Sequence, residues 1–70
     1  MGSIVKVIEI LAESEKGWEE AAQHAVDHAS KTIRNIKSIY IQDMQGMVED
    51  GKITTFRVNA KISFVLDDKG

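Results

Sequence analysis

Residues 53–66 read ITTFRVNAKISFVL. Phe56, Val58, Ala60, Ile62, Phe64 and Leu66 alternate with Thr55, Arg57, Asn59, Lys61, Ser63 and Val65. Successive side chains of a strand point to opposite faces, so period two over this length specifies a long, half-buried β-strand with its even-numbered face in the core. Glu49-Asp50-Gly51-Lys52 precedes it. Asp-Gly between two strand patterns marks a hairpin, because glycine takes the positive φ that the turn requires. Residues 37–47 are therefore the partner strand. Ile39 and Ile41 face one way, and Ser38, Tyr40 and Gln42 face the other.

Residues 3–11, SIVKVIEIL, form a third strand, with Val5, Val7 and Leu11 on one face and Ile4, Ile8 and Ile10 on the other. A strand apolar on both faces requires cover on both. A helix lies between the first and second strands. Ser14 is its expected N-cap, with Glu15 in the first turn. Trp18, Ala21, Ala22, Ala25, Val26, Ala29 and Ile33 recur at helical spacing and form one apolar face. The stripe is mostly alanine, which lets the helix lie close to a sheet. Gly17 is expected to weaken the first turn, by about 1 kcal/mol relative to alanine.

The order is β-α-β-β, and one helix covers only one face of a three-stranded sheet. The other face, expected to carry Ile4, Ile8, Ile10 and Tyr40, is left open, and exposed apolar patches of this kind mark interfaces. Seventy residues make a single domain spanning 1–70 with a marginal core, and chains this small commonly gain stability from disulfides, metals or oligomerisation. There is no cysteine, so disulfides and thiolate sites are excluded. An obligate homo-oligomer is the expectation. Nine basic and eleven acidic residues give a net charge of −2, which supplies no electrostatic footprint for nucleic acid or an anionic membrane. The opening MGSIVKVIEI is broken by Lys6 and Glu9 and does not resemble a signal peptide; a cytoplasmic location is expected.

Chemistry-bearing residues are few. Glu20, His24 and His28 are spaced four apart and share a helix flank. Two histidines at i, i+4 can share a metal, with a third ligand from elsewhere; the plain alternative is a solvated flank with Glu20 pairing to His24. Glu49, Asp50, Asp67 and Asp68 could hold calcium if their oxygens converged at a symmetry axis, and otherwise are charged surface. Trp18 is in register with the alanine stripe, so packing is its expected role. No serine has a partner arrangement for nucleophilic catalysis, and no acid–base pair stands out. The chain is expected not to be an enzyme.

VKVIEI, a short serine-containing link, WEEAAQHAVDHASKTIRNI, a strand ending at Gly46, and DGKITTFRVNAKISF follow in order. This ordered set resembles the dodecin family over about residues 3–67. The resemblance implies an α+β fold, β-α-β-β, in which a bent three-stranded antiparallel sheet wraps around one helix. It implies twelve copies in a hollow sphere, and storage or quenching of a bound flavin (riboflavin or its relatives such as FMN) held as stacked pairs between subunits. Some family members bind coenzyme A or metal ions.

The resemblance also locates a ligand face, and departs from the family pattern there. Ser38 stands where flavin-binding members carry a tryptophan that stacks on the isoalloxazine. Arg57, just after Phe56, stands where they carry a glutamine that reads the flavin edge. Asp43 matches an acid near the flavin's sugar-like chain. Ser38, Tyr40, Asp43 and Arg57 are thus the candidate ligand-binding residues, and His24 and His28 the candidate metal ligands. Losing the stacking platform removes about 1–3 kcal/mol by analogy with base–aromatic stacking, and a guanidinium donates without accepting. Arg57 would suit a phosphate or carboxylate instead. The leading expectation is a non-enzymatic, dodecin-like small-ligand binding and storage homododecamer. The alternatives are a structural oligomer that has lost flavin binding, or a calcium-like ion binder.

Overall fold

The computed structural model describes residues 4–66. Strand β1 (Val5–Ser14) leads into helix α1 (Trp18–Ala29), and β2 (Ile36–Glu49) and β3 (Lys52–Val65) complete the chain's β-α-β-β order. The sheet order is β1-β3-β2, with both pairings antiparallel. β3 is thus central, which suits the strand with the most regular alternation. Its Val58, Ala60 and Ile62 are at most 1% exposed, so the expected even-numbered core face is present; Phe56 and Phe64 at its ends are only half-buried.

The Asp-Gly turn forms as expected. Asp50 has φ 51° and Gly51 φ 77°, the paired positive values of a type I′ hairpin whose twist matches its strands. A Cβ built on Gly51 meets no atom within 4 Å, so a side chain there costs backbone conformation and nothing else. Gly51→Ala is expected to destabilise the protein by about 1–2 kcal/mol, read as a lower urea midpoint at fixed chain concentration. An unchanged midpoint would mean that the turn is not held in this conformation.

Helix α1 packs its alanines against the sheet. Ala25 and Ala29 cluster with Ile62, and Ile8, Ile10, Ala12, Ile33, Ile36 and Ile39 close around them. Because Ile8 lies opposite Ile62 and Ile10 opposite Ala60, the even residues of β1 share the buried face of β3. This reverses the face expected to remain open. Ile8 and Ile10 lie under the helix, while Val5, Val7 and Leu11, together with Tyr40, are 55–65% exposed on the far side. Alternation in a strand apolar on both faces fixes which residues go together, and only its pairing with β3 fixes which set meets the helix.

The helix start also differs from expectation. Gly17, in extended backbone, is the N-cap, so it lies outside the helix and takes nothing from its first turn. Ser14 is instead the last residue of β1 and is buried. Its Oγ accepts from the backbone N–H of Lys16 at 2.9 Å and of Gly17 at 3.4 Å, which pins the strand-to-helix link. Trp18 packs edge-on against Phe56, with ring centroids 4.8 Å apart. Its indole N–H donates to the Gln45 carbonyl at 3.0 Å, tying the helix start to the hairpin. At the other end, Asn35 turns the chain into β2 with φ 63°, a conformation that asparagine tolerates better than most residues.

Among the described residues only six apolar side chains are buried, and four of them are alanine. Nine large apolar side chains among the described residues remain exposed. Burial stabilises in proportion to apolar area removed from water, at about 25 cal/mol per Å², so this distribution leaves much of the available stabilisation unrealised in a lone chain. Among the described residues no helix is long and apolar enough to cross a membrane.

Candidate functional site

The open face of the sheet is built from cross-strand rows. Register places Val7–Ser63–Ser38, Glu9–Lys61–Tyr40, Leu11–Asn59–Asp43 and Glu13–Arg57–Gln45 side by side across β1, β3 and β2. All four candidate ligand residues therefore share this face, one in each row. Asp43 reaches it through a register shift between Ile41 and Asp43. Strict alternation would have put Asp43 with Ile39 and Ile41. The shift leaves Gln42, expected on the open face, without a partner on β3, and passes its place to Asp43. A β-bulge re-aims side chains in this way.

The rows do not form one pocket. Ser38 and Arg57 stand three rows apart, roughly 20 Å along the sheet at strand rise. That is farther than a fused three-ring flavin reaches. If both touch one flavin, they come from two chains.

Ser38 and Ser63 share a hydrogen bond of 2.6 Å, and Tyr40, 65% exposed, stands beside them. The Arg57 end holds a cleft of about 330 Å³ lined by Leu11, Asp43, Met44, Gln45, Arg57 and Asn59. Arg57 is already engaged there. Its Nε donates to Glu13 Oε2 at 2.7 Å, and its Nη2 contacts the same oxygen. Both side chains are more than a third exposed or nearly so, so the pair contributes about 0–1 kcal/mol. The pair also offsets the positive charge that a phosphate would need. Asn59 Oδ1 is buried with no hydrogen-bond partner, a condition that costs about 1–3 kcal/mol until a donor arrives.

His24 lies away from this face. Its Nε2 is 3.2 Å from Glu20 Oε2, and its Nδ1 is 3.2 Å from the Glu13 carbonyl oxygen, beside a cleft of about 430 Å³ that Glu13, Ser14, Glu15, Lys16, Glu20 and Thr55 also line. His28 is exposed one turn further on. Among the described residues no three metal-ligating side chains come together, so the helix brings His24 and His28 no third ligand. Glu49 and Asp50 lie at the hairpin end, and Asp67 and Asp68 fall outside the described residues.

A family model, Dodecin, matches residues 4–67. The chain belongs to the dodecin family. Dodecin from Thermus thermophilus is 28% identical over 68 residues, covering 97% of this chain and 99% of that protein. Calcium dodecin from Mycobacterium tuberculosis is 31% identical over 62 residues, covering 89% and 87%. Among solved structures, dodecin from Streptomyces davaonensis superposes with a TM-score of 0.89 at 26% identity, over 97% of this chain and all of that one. The calcium dodecin structure, described with a novel calcium-binding site, superposes at 0.80 with 28% identity, over 97% of each chain. The dodecin fold expected from the sequence is thus the fold observed.

Two residues of the dodecin open face were not singled out from sequence. Asn59 and Glu13 lie at alternating strand positions with no unusual spacing. Asn59 gains interest from its buried orphan oxygen, and Glu13 from its hold on Arg57. Glu13 could have been found by counting back along β1 from a correct β1–β3 register, since it falls opposite Arg57.

Proposed function

We propose that this dodecin acts as one domain over its whole length, assembles into a hollow homododecamer, and holds a small ligand between subunits without catalysing a reaction. The observation that carries this reading is the open sheet face. Val5, Val7, Leu11 and Tyr40 are each 55–65% exposed, on a chain whose buried core is mostly alanine. A second copy placed on that face would supply the missing apolar contacts, and would bring the Ser38 end of one chain toward the Arg57 end of another. A chain with no cysteine folds without disulfides, and the reading places the assembly in the cytoplasm. Flavin is held weakly in this reading, because Ser38 offers no ring to stack on and Arg57 is tied to Glu13.

Sedimentation of the purified protein at micromolar chain concentration tests the assembly. The expected result is a species near twelve chains with no folded monomer. A stable folded monomer or dimer defeats the reading.

The relation to calcium dodecin supports a second reading, in which the ligand is an ion bound where copies meet. It predicts that calcium raises the melting temperature of the assembly, and a temperature unmoved by millimolar calcium removes it.

A further inference from the structure

We propose that the Leu11–Asn59–Asp43 row is a subsite for an alkylammonium group, a positively charged amine on an apolar stem. The inference rests on the ligand-holding reading above and names the chemistry of the ligand. Three observations converge on it. The first is charge. In the four rows of the open face, Arg57 lies opposite Glu13 and Lys61 opposite Glu9, whereas Asp43 shares its row with Leu11 and Asn59 only. Asp43 is therefore the one charge in those rows with no opposite charge in its own row. The second is hydrogen bonding. Asn59 Oδ1, in the same row, is an acceptor with no donor, and Asp43 is an acceptor as well. An ammonium carries three donors and no acceptor, which matches what the row lacks. A phosphate fits less well, since it would meet Asp43, and the Arg57 guanidinium that lines the same cleft is already bound to Glu13. The third is the wall. Leu11 and Met44 line the same cleft and are 65% and 64% exposed. Exposed apolar side chains at the cleft can lie along an alkyl stem, as apolar surfaces do with the stems of lysine side chains.

The alkylammonium can be a free small amine or a lysine side chain of another copy. The experiment separates the two on the assembled protein. Titration with n-butylammonium chloride, followed by chemical-shift changes of the backbone amides, reads the first. Lysine acetylation by acetic anhydride, followed by mass spectrometry, reads the second. The expected result is either saturable butylammonium binding centred on Asp43 and Asn59, or one lysine protected from acetylation. Either signal should weaken roughly tenfold or more in Asp43→Asn, which keeps the shape and removes the charge. Asp43 is exposed, so this variant is expected to fold. The inference is overturned if butylammonium leaves the row unchanged and no lysine depends on Asp43, or if inorganic phosphate or calcium chloride occupies the row in preference to the amine. Sedimentation of the same samples reports on assembly separately, so an intact dodecamer with an indifferent row defeats the subsite alone.

Discussion

Ile62→Ala is expected to abolish the assembly. Ile62 is fully buried at the middle of the central strand. It lies opposite Ile8 on one side and Ile39 on the other, and under Ala25 and Ala29 of the helix. Truncating a buried isoleucine to alanine costs about 2–5 kcal/mol, the transfer loss plus the cavity left behind. The upper half of that range applies here, because Ala25 and Ala29 above it carry no side chain long enough to fill the space, and Ile8 and Ile39 are held at their strand positions on either side. Small proteins are stable by only about 5–15 kcal/mol, and folding and association are linked. The loss should therefore appear as dissociation on dilution, with unfolded chain as the product. Phe64 is the weaker site for the same test, since it is only half-buried. Sedimentation and circular dichroism across a dilution series check the outcome. An Ile62→Ala variant that assembles with an unchanged melting temperature would falsify the assignment of the core.

Riboflavin binding is expected to rise roughly 5- to 150-fold in Ser38→Trp, the equivalent of about 1–3 kcal/mol of stacking. The substitution removes one exposed hydrogen bond, Ser38 to Ser63, and puts a large ring next to Tyr40 on the open face. Arg57→Gln should add to the gain by restoring a group that both donates and accepts. It also releases Glu13, whose side chain is 47% exposed and is readily solvated, so the stability cost is small. The two changes serve one ligand, and their effects need not add. Flavin fluorescence is quenched by stacking on an aromatic, so titrating riboflavin with protein measures each step. Strong quenching by the parent protein at nanomolar riboflavin would show that Tyr40 already stacks. A double variant that binds no better than the parent would mean that the face is shaped for another ligand.

The hairpin and the core face of β3 were legible because alternation and Asp-Gly are local signals with a single reading. The open face of β1 was not. Val5, Val7 and Leu11 are as apolar as Ile8 and Ile10, and only the Ile8–Ile62 pairing decides between them. The helix start misled because Ser14 suits a cap, yet the strand runs three residues past its expected end at Leu11 and uses the serine itself. For the site, the resemblance supplied the four positions, but the distance between Ser38 and Arg57 depends on strand register. The re-aiming of Asp43 depends on a bulge that no residue type near Gln42 announces.

The central place of β3 sets an order of events during synthesis. β1 is made first, and its partner is made last of the three strands. Val5 pairs with Val65 and Ser14 with Phe56, so at about 5–20 residues per second β1 emerges and waits for on the order of several seconds. The helix can form locally in that time and the β2–β3 hairpin can follow, but the sheet cannot close until β3 is complete. Non-local pairing of this kind is also slow in itself. In the interval β1 is an unpaired, largely aliphatic strand, the type of segment that associates with other nascent chains. Lys6, Glu9 and Glu13 divide it into apolar runs of no more than three residues. Charges at such spacing oppose premature pairing, and their replacement by apolar residues should shift newly made chains from folding toward aggregation.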